Sequence, residues 1–239
     1  MKKNIFKRLA LIATMVGISA CSNEAEKLYS QENEIKLTSE ITPSRINSLN
    51  YQSTQIVQGQ QVGVTIIGAK TEHNNVAWRA GTNGSLTNTG STLYWGKSDV
   101  AIMAYHPFNP NWTESYHTFS VNTDQSSNEN YLNSDLLWTS TTASKSSNPI
   151  SLNFLHKLAK INVTLTSEDI DDLSNATISI CGTNIITDFN PDNGELSNSN
   201  NIQDIIAGVT TADASTAAAI IVPQTVPNGT QLIKVTYNN

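Results

Sequence analysis

A chain of 239 residues with 14 Lys and Arg against 20 Asp and Glu carries a formal charge of −6. That excludes the clustered basic surface a phosphate backbone requires, and with it a nucleic-acid partner. Only two cysteines are present, too few for a disulfide framework or a thiolate metal cluster.

In chain order, Lys2, Lys3, Lys7 and Arg8 precede a short apolar stretch from Leu9 to Ala20. This is the layout of a secretory signal, and about a dozen residues falls short of the roughly 20 that a spanning helix needs. Its end, Ile18-Ser-Ala-Cys21, resembles a bacterial lipobox, which implies removal of residues 1–20 and a lipid, palmitate included, on Cys21. The alternative is an ordinary signal peptide followed by an unrelated cysteine. Residues 21–45, with Glu24, Glu26, Glu32, Glu34 and Glu40, read as an acidic tether or propeptide between lipid and folded body. Within it Ile35-Lys-Leu-Thr38 alternates like a short strand, and an edge strand pairing with the body is expected.

From there the chain reads as strands. Thr with Val, Ile, Tyr and Trp in short segments favours them, and the periodicity of helices is scarce. Candidates run over 55–57, 61–67, 93–95, 100–105 and 116–121, separated by turn clusters such as Gly81-Thr-Asn-Gly84, the spacing of an antiparallel sandwich. The Ser/Thr-rich stretch from Thr139 to Asn148 reads as a connector. It divides an N-terminal sandwich, 46–149, from a C-terminal one, 150–239. The second half offers 150–156, 158–165, 177–180, 185–189, 219–222 and 231–237. So few strands leave an open edge, and this sandwich is expected to be incomplete at its C-terminal end.

No catalytic residue, metal or cofactor is assigned. Asp188-Phe-Asn-Pro-Asp-Asn-Gly194 spaces oxygen ligands like a calcium loop, but its glycine falls one place late and Ser199 stands where glutamate is needed. Asn193-Gly194 reads instead as a hairpin turn. His73, His106, His117 and His156 lack chelating spacing, and Cys181 falls at a buried position of an alternating segment. Trp78, Trp95, Trp112 and Trp138 either fill a core or form a sugar-stacking platform. Trp112, in Pro110-Asn-Trp-Thr113, is the candidate for ligand stacking.

Three segments then carry a resemblance. Ala101-Ile-Met-Ala-Tyr-His-Pro107, Asp124-Gln125 ahead of Asn133-Ser-Asp-Leu-Leu137, and Leu152-Asn-Phe-Leu-His-Lys-Leu-Ala-Lys-Ile161 together resemble, in order and spacing, the fimbrillin family of type V pilus proteins. The resemblance covers about Arg45 to Tyr237, by pattern more than motif beyond Leu165. It implies an all-β chain of two transthyretin-like sandwiches in tandem, exported as an outer-membrane lipoprotein. It also implies an arginine-specific cut that removes the lipidated segment, after which a neighbouring subunit donates a strand into the groove left behind. Carried over, the cut falls between Arg45 and Ile46, and Ile35 and Leu37 belong to the covering strand that leaves. The family's donor strand lies at the C-terminal end, beyond what a chain stopping at Asn239 displays, so shaft, tip and anchor roles stay open. The expected function is a structural or adhesive subunit, or an accessory protein, of a type V fimbria. Its expected partners are other pilus subunits and the outer membrane. The alternative is a non-polymerising surface lipoprotein that binds host or bacterial surface glycans or proteins.

Overall fold

The computed structural model describes residues 34–42, 54–112, 116–168, 173–210 and 215–237. Among them the chain is almost wholly β, as the composition predicts. β1 (Leu37–Ile41), β2 (Gln61–Ile67), β3 (His73–Ala80), β4 (Ser85–Asn88) and β5 (Val100–His106) come first. β6 (His117–Ser120) and the short helix α1 (Asn128–Ser134) follow, then β7 (Leu137–Ala143) and β8 (Ile150–His156).

Seven of these strands close on themselves in the order β1-β4-β3-β2-β5-β7-β8, with β8 returning to β1. Every neighbouring pair is antiparallel except β1 with β8, which is parallel. Period-2 alternation turns one face inward. Val62, Val64 and Ile66 of β2, Val100, Ile102 and Ala104 of β5, and Leu152 and Phe154 of β8 meet in one buried cluster.

A second cluster is built by two further sheets. β9 (Ala159–Thr164), β12 (Gly208–Val209) and β13 (Thr216–Ile221) form one of them, in the order β12-β13-β9. β10 (Ala176–Phe189), β11 (Leu196–Ile206) and β14 (Ile233–Tyr237) form the other, in the order β11-β10-β14, with β6 also pairing with β10. Ile178, Ile180 and Phe189 from β10 pack there with Val163 and the Ala217–Ile221 run.

The sheets do not divide at 149/150. β8 belongs to the first sheet, whereas β6 pairs with β10, and Tyr131 of α1 packs in the second cluster. Neighbouring residues split between the two cores. Ala104 and Leu137 point into the first, Tyr105 and Leu136 into the second. Two faces of one strand thus serve two cores, which a boundary drawn from loop composition cannot register. On β14, Val235 and Ile233 pair with the buried Ile178 and Ile180 and so stand on the core side, yet they remain 46% and 42% exposed.

Where β12 ends, the side chain of Gln125 continues the pairing of β13. Its amide donates to Ile220 O at 2.8 Å and to Asn122 O at 3.1 Å, and Ile220 N–H donates to its Oε1 at 2.8 Å. Gln125 is fully buried, so these bonds satisfy groups that no solvent reaches. Gln125→Leu strands the Ile220 N–H and C=O together. At about 1–3 kcal/mol for each buried group left unpaired, the expected loss is about 2–6 kcal/mol, read as a lowered urea midpoint with an unchanged slope.

Candidate functional site

The N-terminal segment described here is a strand of the barrel, not an edge. Ile35, Leu37, Ser39 and Ile41 alternate inward and are 1–4% exposed, while Lys36 and Glu40 face solvent. Leu37 lies across from Leu86 on β4 and Ile150 on β8, Ser39 beside Leu152, and Ile41 beside Phe154. Main-chain bonds extend the seat beyond the ladder. Ile35 N–H donates to Leu93 O at 2.9 Å, Ile150 N–H to Lys36 O at 2.8 Å, Ile41 N–H to Thr54 O at 2.8 Å and Thr42 N–H to Phe154 O at 3.0 Å. Burying each of the three large aliphatic side chains contributes about 1.5–3 kcal/mol. Without β1, β4 and β8 would each present an unpaired edge around an apolar groove.

The pairing is uneven. On the β8 side it runs from Leu37 to Ile41; on the β4 side it spans Leu37 and Thr38 alone. The β4 ladder is cut short by a 3-10 turn, Thr82–Gly84, that approaches β1 closely. Gly84 has φ +71°, and a Cβ there would fall 2.5 Å from Ser39 O. Glycine is needed at this point for both reasons.

Of the residues singled out from sequence, Leu37 falls in this strand and Ile35 lies buried just ahead of it. Ser39 and Ile41 complete the seat, together with Gly84 from the Gly81–Gly84 turn cluster and Phe154 from the Leu152–Ile161 segment that carries the resemblance. Cys21, Arg45 and Ile46 lie outside the described residues.

Trp112 is corrected as a stacking platform. Its ring is 7% exposed and already stacked on Tyr105 (4.9 Å, 28°) and His117 (5.1 Å, 6°). Trp78 and Trp95 are buried in the first core. Trp138 donates its Nε1–H to Pro191 O at 2.7 Å, with Lys157 over its ring. Cys181 is half-buried and its thiol is pushed up, chiefly by burial and then by the nearby Asp204, which suits an inert side chain.

The motif segments meet at the junction of the cores and hold structure there. Asp135 accepts from His156 at 2.8 Å. The ring nitrogens of His106 lie 2.9 Å from Gln61 O and 3.3 Å from Leu132 O, and burial lowers its pKa while these carbonyls and Asp135 oppose the shift. Burial likewise lowers Lys160, with Asp135 opposing the shift. No group of His, Cys, Asp or Glu suited to a metal occurs among the described residues, and Asn190 to Gly194 forms the β10–β11 turn, with Gly194 at φ +72°.

The closed seven-stranded sheet and the two further sheets define an all-β protein. The fimbrillin-like family profile matches residues 50–239, and the chain belongs to this family. Among solved structures it is similar to a candidate cell adhesion protein of Bacteroides ovatus, at 19% identity and TM-score 0.66 over 86% of this chain and 83% of that one. It is also similar to a candidate cell adhesion protein of Bacteroides uniformis, at 18% identity and TM-score 0.61 over 85% and 78%. A fimbrial protein of Bacteroides ovatus aligns at 16% identity and TM-score 0.54 over 86% of this chain and 44% of that one. At these identities the likeness is one of fold. No curated protein matches the chain.

Proposed function

We propose that this protein is a structural or adhesive subunit, or an anchor or tip accessory protein, of a type V fimbria. It is exported as a lipoprotein through Cys21 and engages other subunits by strand complementation after a cut between Arg45 and Ile46. The observation that carries this reading is the seat of β1. A segment from the N-terminal side of Arg45 fills a place between β4 and β8, and only residues 43–53 separate it from the next described part of the body. Cutting there frees the strand covalently and leaves its hydrogen bonds and three apolar anchors to hold it. A strand of another chain competes for the same edge. The packed tryptophans leave the glycan-binding alternative without a supporting observation.

The test is limited digestion of the folded full-length chain with an arginine-specific protease. A discrete cut at Arg45, followed by a concentration-dependent ladder of oligomers when a donor-bearing subunit is added, is the expected result. Arg45→Ala should abolish both. Cut protein that stays monomeric at every donor concentration would refute strand complementation.

A further inference from the structure

We propose that the β4–β8 groove selects its incoming strand by a polar notch at the place of Ser39. It takes an extended segment with large aliphatic residues at the first, second and fourth inward positions and a serine-sized hydroxyl at the third. The inference rests on the strand-complementation reading and adds the chemistry of the partner.

Ser39 is the one polar residue among the four inward positions of the seated segment, and it is 1% exposed. Its hydroxyl donates to Gly84 O at 3.2 Å and accepts from Ile56 N–H at 3.4 Å. Both partners are buried main-chain groups. When the strand leaves, the carbonyl and the amide lose this partner inside an otherwise apolar groove. An incoming alanine fits the space but leaves them unpaired, and a buried group so abandoned carries the full desolvation penalty.

A larger residue meets a different obstacle. The Gly84 turn comes so near the strand that a single added Cβ on that glycine would lie 2.5 Å from Ser39 O, and the Gln55 side chain packs 3.1 Å from the same point. The walls here are backbone at φ +71°, which cannot swing aside as a side chain can. A leucine at the third position must occupy the place where the Ser39 hydroxyl now lies 3.2 Å from Gly84 O and 3.4 Å from Ile56 N, and it offers neither a partner, while Leu37 and Ile41 on either side sit against apolar Leu86, Ile150 and Phe154. The notch also sets register. Sliding a strand by two residues would bring a large side chain to the turn and leave an aliphatic pocket empty.

A full-length chain carrying a site-specific protease sequence inserted after Arg45 tests this. Cut protein is incubated with an excess of fluorescent peptide corresponding to Glu34–Thr42, or with versions carrying Ser39→Ala, Ser39→Leu or, at the outward position, Thr38→Leu. Capture is read by anisotropy and by release of the resident segment. The native and Thr38→Leu peptides are expected to enter alike, Ser39→Ala about 30-fold more weakly for the two abandoned hydrogen-bonding groups, and Ser39→Leu not at all. Equal capture of the Ser39→Leu and native peptides overturns the notch and leaves strand complementation standing. Failure of every peptide, the native one included, to displace the resident segment overturns both.

Discussion

Replacing Leu37 and Ile41 together by alanine is expected to lower the stability of the uncut protein by about 4–10 kcal/mol, the sum of two large-to-small core truncations. The two residues lie four positions apart against different neighbours, Leu86 and Ile150 for one and Phe154 for the other, so their effects should be close to additive. A loss of this size is comparable with the whole stability of a typical domain, about 5–15 kcal/mol. The matched control is Lys36→Ala with Glu40→Ala, which alters the same strand at its exposed positions and should stay within about 0.5 kcal/mol. Urea unfolding measures both. If the control pair costs as much as the core pair, β1 does not present the face described. The contrast bears on function as well, because the anchors that stabilise the uncut chain also resist exchange after a cut. Weakened anchors should shorten the lifetime of the resident segment in cut protein, while the outward pair leaves it unchanged.

This strand also shows how far the sequence could be read. Its alternation is plain at Ile35 and Leu37 and then interrupted by Ser39, so the apolar signal stops at Thr38 although the strand runs to Ile41. The interruption is the polar notch itself, and hydropathy cannot separate a buried hydroxyl with partners from a turn residue. The same difficulty hides β11, Leu196–Ile206, whose Ser, Asn and Gln residues are exposed because, up to its last residue, β10 is its one neighbour among the described residues. β3 is obscured by His73, Asn74 and Asn75 at its start. β2, β5 and β8 were legible because closure of the barrel buries their inward faces. On β10 two expected strands are one, for Gly182 at φ +63° sits at a register shift and does not end the ladder. The seat of β1 was legible only as a resemblance. Nothing local in Gly84 or Phe154 signals that they receive a strand from over forty residues earlier in the chain.

Trp112→Ala is the second large effect, an expected loss of about 3–5 kcal/mol. The ring is the centre of an aromatic group. Beyond Tyr105 and His117 it meets Phe119 edge-on at 6.3 Å and Phe189 at 5.5 Å, so its removal opens a space that several rigid rings border and cannot close by small rotations. Tyr105 is held from the other side. Its hydroxyl donates to Asn75 Oδ1 at 2.6 Å and lies 3.0 Å from Asn109 O, and burial pushes its pKa up to about 12. Gly63 allows no slack either, since a Cβ there would fall 2.4 Å from the Tyr105 ring. With Tyr105 fixed, the space left by Trp112 stays open and the cost falls on the second core. Glycan retention by folded variant and parent separates this role from ligand stacking. A core role lowers the unfolding midpoint and leaves any retention on immobilised oligosaccharides equal, because the ring is inaccessible in the parent. A stacking role would do the reverse, with stability within about 0.5 kcal/mol of the parent, as for an exposed side chain, and retention lost. The burial of Trp112 selects the first outcome.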